Sequence, residues 1–305
     1  MSGEIITIVD SGSCGKSLNW KFLSDGRLVI NGTGQMSISG QPWSQYLNAI
    51  TTIEIEEGCT QVSTGAFSNI VNANDIIVPA SLIAFGGASP FNNNVNLQNI
   101  YYAGTPSQWT KIGGVRFVTS STNTNSKNYY FAGDLLSDIV LDDDIIDIPA
   151  SSFYKAIQIE SINLDNVVTI GGSAFLGCTS LTSVDVHNAT TIGLNAFQNC
   201  NNLTGVINLD SLVDASNYIF ENCNLLGVYF GENITYAGYR SFTGNSNCEF
   251  YDFSKVSAIP RIGSTNFSGI KNYEIRVPSD LYDEWLTTTV QSWSFYRGAN
   301  YVSVE

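Results

Sequence analysis

The stretch Ile170-Gly-Gly-Ser-Ala-Phe175-Leu-Gly-Cys178-Thr-Ser-Leu181-Thr-Ser-Val184 decides how this chain folds, because the sequence keeps repeating it. Its opening phrase, which ends in a small residue and Phe, returns as Val62-Ser-Thr-Gly-Ala-Phe67 and Ile192-Gly-Leu-Asn-Ala-Phe197. Weaker copies end at Phe91, Phe153, Phe220, Phe242 and Phe267, and from Phe153 onward the spacings are 22, 22, 23, 22 and 25 residues. Between the Phe positions lies a second phrase, apolar-x-apolar-x, which has the period of a strand. It begins at Ile53, Ile76, Ile100, Ile139, Ile162, Val184, Ile207, Val228, Tyr251 and Ile275. Counted at the second residue of each, the steps are 23, 24, 39, 23, 22, 23, 21, 23 and 24, one period broken once.

A unit of this length makes one short strand and one return, and it cannot bury its apolar face alone. Copies must therefore stack into a solenoid with successive strands paired in parallel about 4.8 Å apart. The recurring Phe, and the Ile or Val five residues before it, are expected to point inward. Gly171, Gly193 and Gly263 follow that Ile and suit a corner needing either φ > 0 or close backbone approach.

The repeat resembles the BspA-type leucine-rich repeat, on the strength of the 170–184 stretch and of Ile192 to Leu203. The resemblance extends to Cys14-Gly-Lys-Ser-Leu-Asn-Trp20, Gly26 to Gly34 and Pro42-Trp43, like the hairpin that opens such arrays. It extends also to Ile100-Tyr-Tyr-Ala-Gly-Thr-Pro-Ser-Gln-Trp109, like an element that closes a block, and to Ile275 through Trp293 and Tyr301, like a C-terminal helix and strand. The fold so implied is an α/β-type solenoid dominated by a parallel β-sheet: a leucine-rich repeat array of about 22–25-residue units, with an N-terminal β-hairpin cap and a C-terminal helix-strand cap. In the copies ending at Phe220 and Phe242 the glycine phrase is altered around Ser216 and Gly238, which affects local curvature rather than architecture.

The boundaries follow from the repeat. Residues 1–44 read as the N-terminal cap, with strand-like runs on either side of Ser24-Asp25-Gly26. Residues 45–118 form a first repeat block, 119–128 a polar loop or seam, 129–270 a second block and 271–305 the C-terminal cap, one continuous solenoid with a hinge at the seam as the alternative. The 39-residue step is read as one repeat plus about 16 extra residues in Thr119 to Ser126. Thr105-Pro-Ser-Gln108 is a capping-box pattern before a short helix carrying Trp109. Ser279, with Asp280, Asp283 and Glu284, is expected to cap a helix holding Leu281, Trp285 and Leu286.

Composition narrows the function. Of 305 residues only 13% are charged, with 13 Lys plus Arg against 27 Asp plus Glu, whereas 89 are Asn, Ser or Thr. A formal charge of −14 opposes nucleic acid and anionic membrane as partners, since both reward dense Lys and Arg. No apolar stretch is long enough to span a bilayer and no export signal is visible at Met1-Ser2-Gly3-Glu4, so membrane insertion is not expected. The single histidine, His187, excludes a two-histidine zinc site within the chain. CxxC and zinc spacings are absent, and Asp142-Asp143-Asp144 lacks the spacing of a calcium loop, so neither metal nor cofactor is expected. Cys178, Cys200 and Cys223 each follow the repeat Phe by three residues and form an inward column of packed thiols; a bond in that column, or between Cys14 and Cys59, is the alternative.

The outward positions of the strands are the candidate site: Tyr101, Asn163, Asp165, Asp185, His187, Asn208, Asp210, Tyr229 and Asp252. Asp165, His187 and Asp210 share one column on three consecutive strands, so the imidazole is expected between two carboxylates roughly 10 Å apart. Five aspartates in register, Asp142 included, make an acidic strip with almost no counter-charge. No cleft and no nucleophile elbow accompany it, which speaks against a glycosidase or a Ser-His-Asp enzyme. The expected function is non-catalytic binding or adhesion through an acidic concave sheet, engaging an unidentified protein or glycan. The resemblance places such a module on the surface of, or secreted by, a host-associated bacterium. A structural spacer or self-associating segment is the alternative, and a glycan-acting enzyme a third.

Overall fold

The computed structural model describes residues 5–87, 90–114, 125–292 and 299–305, without the side chains of 288–292. The chain divides into two compact units between Leu136 and Ser137. Of the expected seam, residues 119–124 lie outside the described residues, as does Trp293.

The first unit opens with three antiparallel strands, Ile8–Ser13, Leu18–Leu23 and Arg27–Gly32. The second and third meet at the expected turn, where Gly26 adopts φ 89°. Arg27–Gly32 then pairs in parallel with Thr52–Ile55, the first repeat strand, and the ladder continues through Asp75–Val78, Asn99–Tyr102 and Asn128–Phe131. Alternate residues are buried, with Ile53, Ile55, Ile76, Val78 and Ile100 inside. Asn128–Phe131 is a strand that the periodicity does not reveal, and it corrects the expected layout. The 39-residue step contains a further strand in register with Ile100, and residues 129–136 belong to the first unit instead of opening the second block. The helix Pro106–Thr110 carries the expected capping box. The Thr105 hydroxyl accepts from the Gln108 amide at 3.2 Å, and the Gln108 side chain accepts from the Thr105 amide at 2.9 Å.

The second unit holds three ladders. Long strands Thr204–Leu209, Asn224–Phe230, Phe250–Asp252, Tyr273–Pro278 and Ala299–Val304 pair in parallel. Two-residue strands stack as Asp147–Ile148, Thr169–Ile170, Thr191–Ile192, Asp214–Ala215, Tyr236–Ala237 and Arg261–Ile262. The second residue of each short strand is buried, which is how the Ile five residues before Phe comes to face the core. A third, shorter ladder pairs Asp138–Ile139 with Ser161–Ile162 and reaches Ser183 by a single bridge. Among the described residues α-helix is confined to Pro106–Thr110 and Tyr282–Ser292. Ser279, expected to cap the latter, lies instead in the 3-10 turn Ser279–Leu281 that leads into it. Trp285 is fully buried against Phe253, ring centroids 5.2 Å apart.

Inside, the repeat phenylalanines form a continuous stack. Phe153, Phe175, Phe197, Phe220 and Phe242 are 0% exposed, with successive centroids 5.5, 5.1, 5.1 and 6.1 Å apart. Each such side chain contributes on the order of 2–3 kcal/mol by leaving water. The thiol column lies beside them: Cys178, Cys200 and Cys223 donate to the carbonyls of Phe153, Phe175 and Phe197 at 3.0, 3.1 and 3.2 Å. All six cysteines are free and buried. In the next coil Asn245 replaces the thiol and its amide donates to Phe220 O at 2.9 Å.

The corner glycines are explained by close approach, not by φ. A Cβ on Gly171 would lie 2.3 Å from Ala150 N, and one on Gly193 2.5 Å from Gly172 N. The left-handed residues fall two positions before and two after each Phe: Ser173 and Gly177 around Phe175, Asn195 and Asn199 around Phe197, Tyr218 and Asn222 around Phe220.

Candidate functional site

The outward positions of the long-strand sheet stand in register: Asn208 opposite Tyr229, Tyr229 opposite Asp252, Asp252 opposite Arg276. Their side chains divide by role. Asp185, Asn208 and Asp252 each use Oδ1 to accept the backbone N–H two residues on, from His187 at 3.1 Å, Asp210 at 3.0 Å and Ser254 at 2.9 Å. Each side chain so closes a local turn on its own backbone, which for Asn208 and Asp252 lies at the end of a strand. Asn163 is likewise tied to backbone, with Oδ1 accepting from Leu141 N at 2.6 Å and Nδ2 donating to Leu141 O at 3.2 Å.

His187, expected between Asp165 and Asp210, is drawn into the same turn; its charge acts on Asp210, and the neighbouring Asn188 Nδ2 donates to Asp165 O at 2.7 Å. His187 Nδ1 is 2.7 Å from Asp185 Oδ1, its neighbour in the chain. Burial pulls the Asp185 carboxyl up, but the hydrogen bonds and charge of His187 outweigh it and hold the group below its ordinary range. Asp165 is exposed. Asp210 accepts from Lys255 Nζ at 2.6 Å and from Asn208 Nδ2 at 3.0 Å. The Lys255 hydrogen bond, working against desolvation and helped by Asn208, holds the Asp210 carboxyl below its ordinary range.

The acidic strip does not lack counter-charge. Lys255 reaches Asp210 from two coils away, and Arg276 lies 3.6 Å from Asp252, which is only 7% exposed. Arg276 also pairs with Glu274 at 2.9 Å and stands 4.1 Å over the Phe250 ring. Phe250 folds across Gly227, where a Cβ would meet its ring at 2.4 Å, and its centroid is 5.1 Å from that of Tyr229. Tyr229 remains 37% exposed at the margin of this cluster.

Beside Tyr229 the surface opens into a depression of about 470 Å³ lined by Asp210, Gly231, Glu232, Asn233 and Lys255. Gly231 packs directly on the preceding coil, since a Cβ there would come within 1.9 Å of Asp210 O. Lys255, Glu232, Asn233, Phe250 and Arg276 were not among the residues singled out from the sequence. Gly227 inside a strand was the available signal for the close approach of Phe250. Lys255 and the loop residues fall outside the repeated phrase and gave none.

In the first unit Tyr101 lies in register between Ile77 and Tyr130, and its ring stacks on Tyr130 at 4.4 Å. Burial pushes the Tyr101 phenol up, with Asp75 and Tyr130 adding to the effect. Beside the pair an amide ladder runs from Asn128 Nδ2 to Asn99 Oδ1 at 2.9 Å and from Asn99 Nδ2 to Asp75 Oδ1 at 2.7 Å. A second depression of about 520 Å³ in this unit is lined mainly by Ser13, Ser37, Ser39 and Ser44. Among the described residues no three His, Cys, Asp or Glu side chains gather as a metal site, and no helix is long and apolar enough to cross a membrane.

Parallel short strands, a stacked Phe column and a repeat of about 22 residues define a leucine-rich repeat solenoid. The chain belongs to the BspA type leucine rich repeat family, whose model matches in 6 copies over residues 41–127, 124–249 and 170–302. Among solved structures it is similar to a leucine-rich repeat protein from Bacteroides ovatus, at 16% identity, covering 99% of this chain and 100% of that one with a TM-score of 0.36. It is similar also to a leucine rich cell surface protein from Faecalibacterium prausnitzii, at 13% identity, 97% and 96% coverage and a TM-score of 0.33. A leucine rich repeat protein of T. pallidum shares 18% identity over 76% of this chain and 88% of its own, with a TM-score of 0.36. No curated protein matches the chain.

Proposed function

We propose that this chain is a non-catalytic binding module, working at the surface of a bacterium or secreted by it, that engages a protein or glycan through the outer face of the long-strand sheet in its second unit. Membership in the family supports the surface setting. The observation that carries the reading is the in-register outer face itself. It sets a part-exposed Tyr229 beside an open polar depression on a backbone held by the ladder. Polar contacts around one accessible aromatic suit recognition. Asp185 and Asp210 do not suit the acid's part in hydrolysis of a glycosidic bond, which needs one acid with a raised pKa. Asp185 and Asp210 are both held below their ordinary range.

The test is a protein and glycan array probed with the full chain and with a variant carrying Asp165→Ala, His187→Ala, Asp210→Ala and Tyr229→Ala. Ligands bound by the wild type and lost by the variant are the expected outcome. Equal binding by both moves the interface elsewhere, no binding by either favours a spacer role, and turnover of a bound glycan that the variant abolishes revives the enzyme.

A further inference from the structure

The depression beside Tyr229 has a composition that chooses among ligand classes. Its charges largely compensate within the site: Asp210 is held by Lys255 at 2.6 Å, leaving Glu232 as the excess charge. A cation would have to displace the Lys255 ammonium from Asp210, and an anion would meet Glu232 in a chain of net charge −14. Its lining carries no aromatic and no aliphatic side chain, unlike the apolar and aromatic centre of a protein interface, and the part-exposed Tyr229 stands two residues before the lining Gly231.

What the lining does offer is mixed hydrogen bonding. A carboxylate supplies acceptors, an ammonium supplies three donors of which one is directed at Asp210, and an amide supplies both. Glu232 and Asn233 are exposed at the rim. Sugar hydroxyls donate and accept at once, so they match a site where the two kinds alternate. The apolar C–H face of a pyranose ring matches the face of an exposed tyrosine. The volume of about 470 Å³ lies in the range of small-ligand sites. The site is open and successive coils stack about 4.8 Å apart, so more than one sugar ring has room to lie across the strands.

We infer that the Asp210–Lys255 depression, with Tyr229 as its stacking wall, is a binding site for a neutral oligosaccharide. This rests on the reading of the chain as a binding module and narrows its ligand to one class.

The test is saturation-transfer NMR followed by titration calorimetry of the full chain with neutral tetrasaccharides built from glucose, N-acetylglucosamine, galactose and mannose, and with sialylated and sulfated counterparts. Lys255→Met keeps the side-chain stem, Tyr229→Ala removes the stacking wall, and Asp147→Asn on the short-strand sheet is the control, each verified as folded by circular dichroism. At least one neutral sugar is expected to bind, tenfold or more weaker to Lys255→Met and Tyr229→Ala, on the scale of one charge-assisted hydrogen bond, and unchanged with Asp147→Asn. A preference for the acidic sugars, or binding indifferent to both site variants, overturns the inference. If no neutral sugar binds at about 10 mM while a protein ligand on the array depends on the sheet face, the glycan assignment falls alone. If neither class binds, the binding-module reading falls with it.

Discussion

Cys178, Cys200, Cys223 and Asn245 show what a single position in this solenoid requires. Each sits three residues after a repeat Phe and donates to the carbonyl of the Phe one coil earlier. In these four coils the common feature is a small side chain with a donor, whereas Ile70, Ala156 and Ile270 fill the same position without one. The corner glycine is constrained more tightly, because backbone of the preceding coil occupies the space a Cβ would need. Gly193→Ala is therefore expected to lower stability by roughly 2–3 kcal/mol, as overpacking against an unyielding neighbour does, measured by urea denaturation. Asparagine is abundant for a related reason. Six of the thirteen described non-glycine residues in the left-handed region are Asn, the side chain that tolerates this conformation best.

At the scale of the element, the Phe stack and the long-strand register were legible in the sequence because a 22-residue period projects one position onto one column. Phe197 touches rings on both sides, at 5.1 Å each, so Phe197→Ala should cost about 3–5 kcal/mol, whereas the same change at a stack end should cost less. The strand Asn128–Phe131 was not legible, because a longer crossover after Tyr102 breaks the period that reveals the others. The two-residue strands were hidden by their length, too short to show alternation. The site was only partly legible, and for one reason: an outward position fixes where a side chain starts, not what it bonds to. Asp185, Asn208 and Asp252 have carboxylate or amide oxygens that turn back to their own backbone. Tyr229 stays 37% exposed beside Phe250, and Asp210 is held by Lys255.

For the whole molecule, charge and burial set a stability window in pH. Asp185 and Asp210 have folded-state pKa values below the ordinary 3.8, so their contribution is present above that value and is lost as pH falls through the depressed folded values. Burial pushes the Cys14 and Cys200 thiols from 9.0 up to about 12, so the unfolded chain loses these protons first and stability declines as pH rises from 9 toward 12. The thermal midpoint should be flat from roughly pH 5 to 8 and fall on both sides. Asp210→Asn should soften the acid limb.

The measurement that tests the central claim most directly is amide hydrogen exchange of the full chain, alone and with the tightest ligand found on the array. Added protection is expected in 204–210, 224–233 and 250–256, the segments that carry Asp210, Tyr229 and Lys255. Protection confined to the short-strand sheet or to the first unit, with these segments unchanged, would contradict the account.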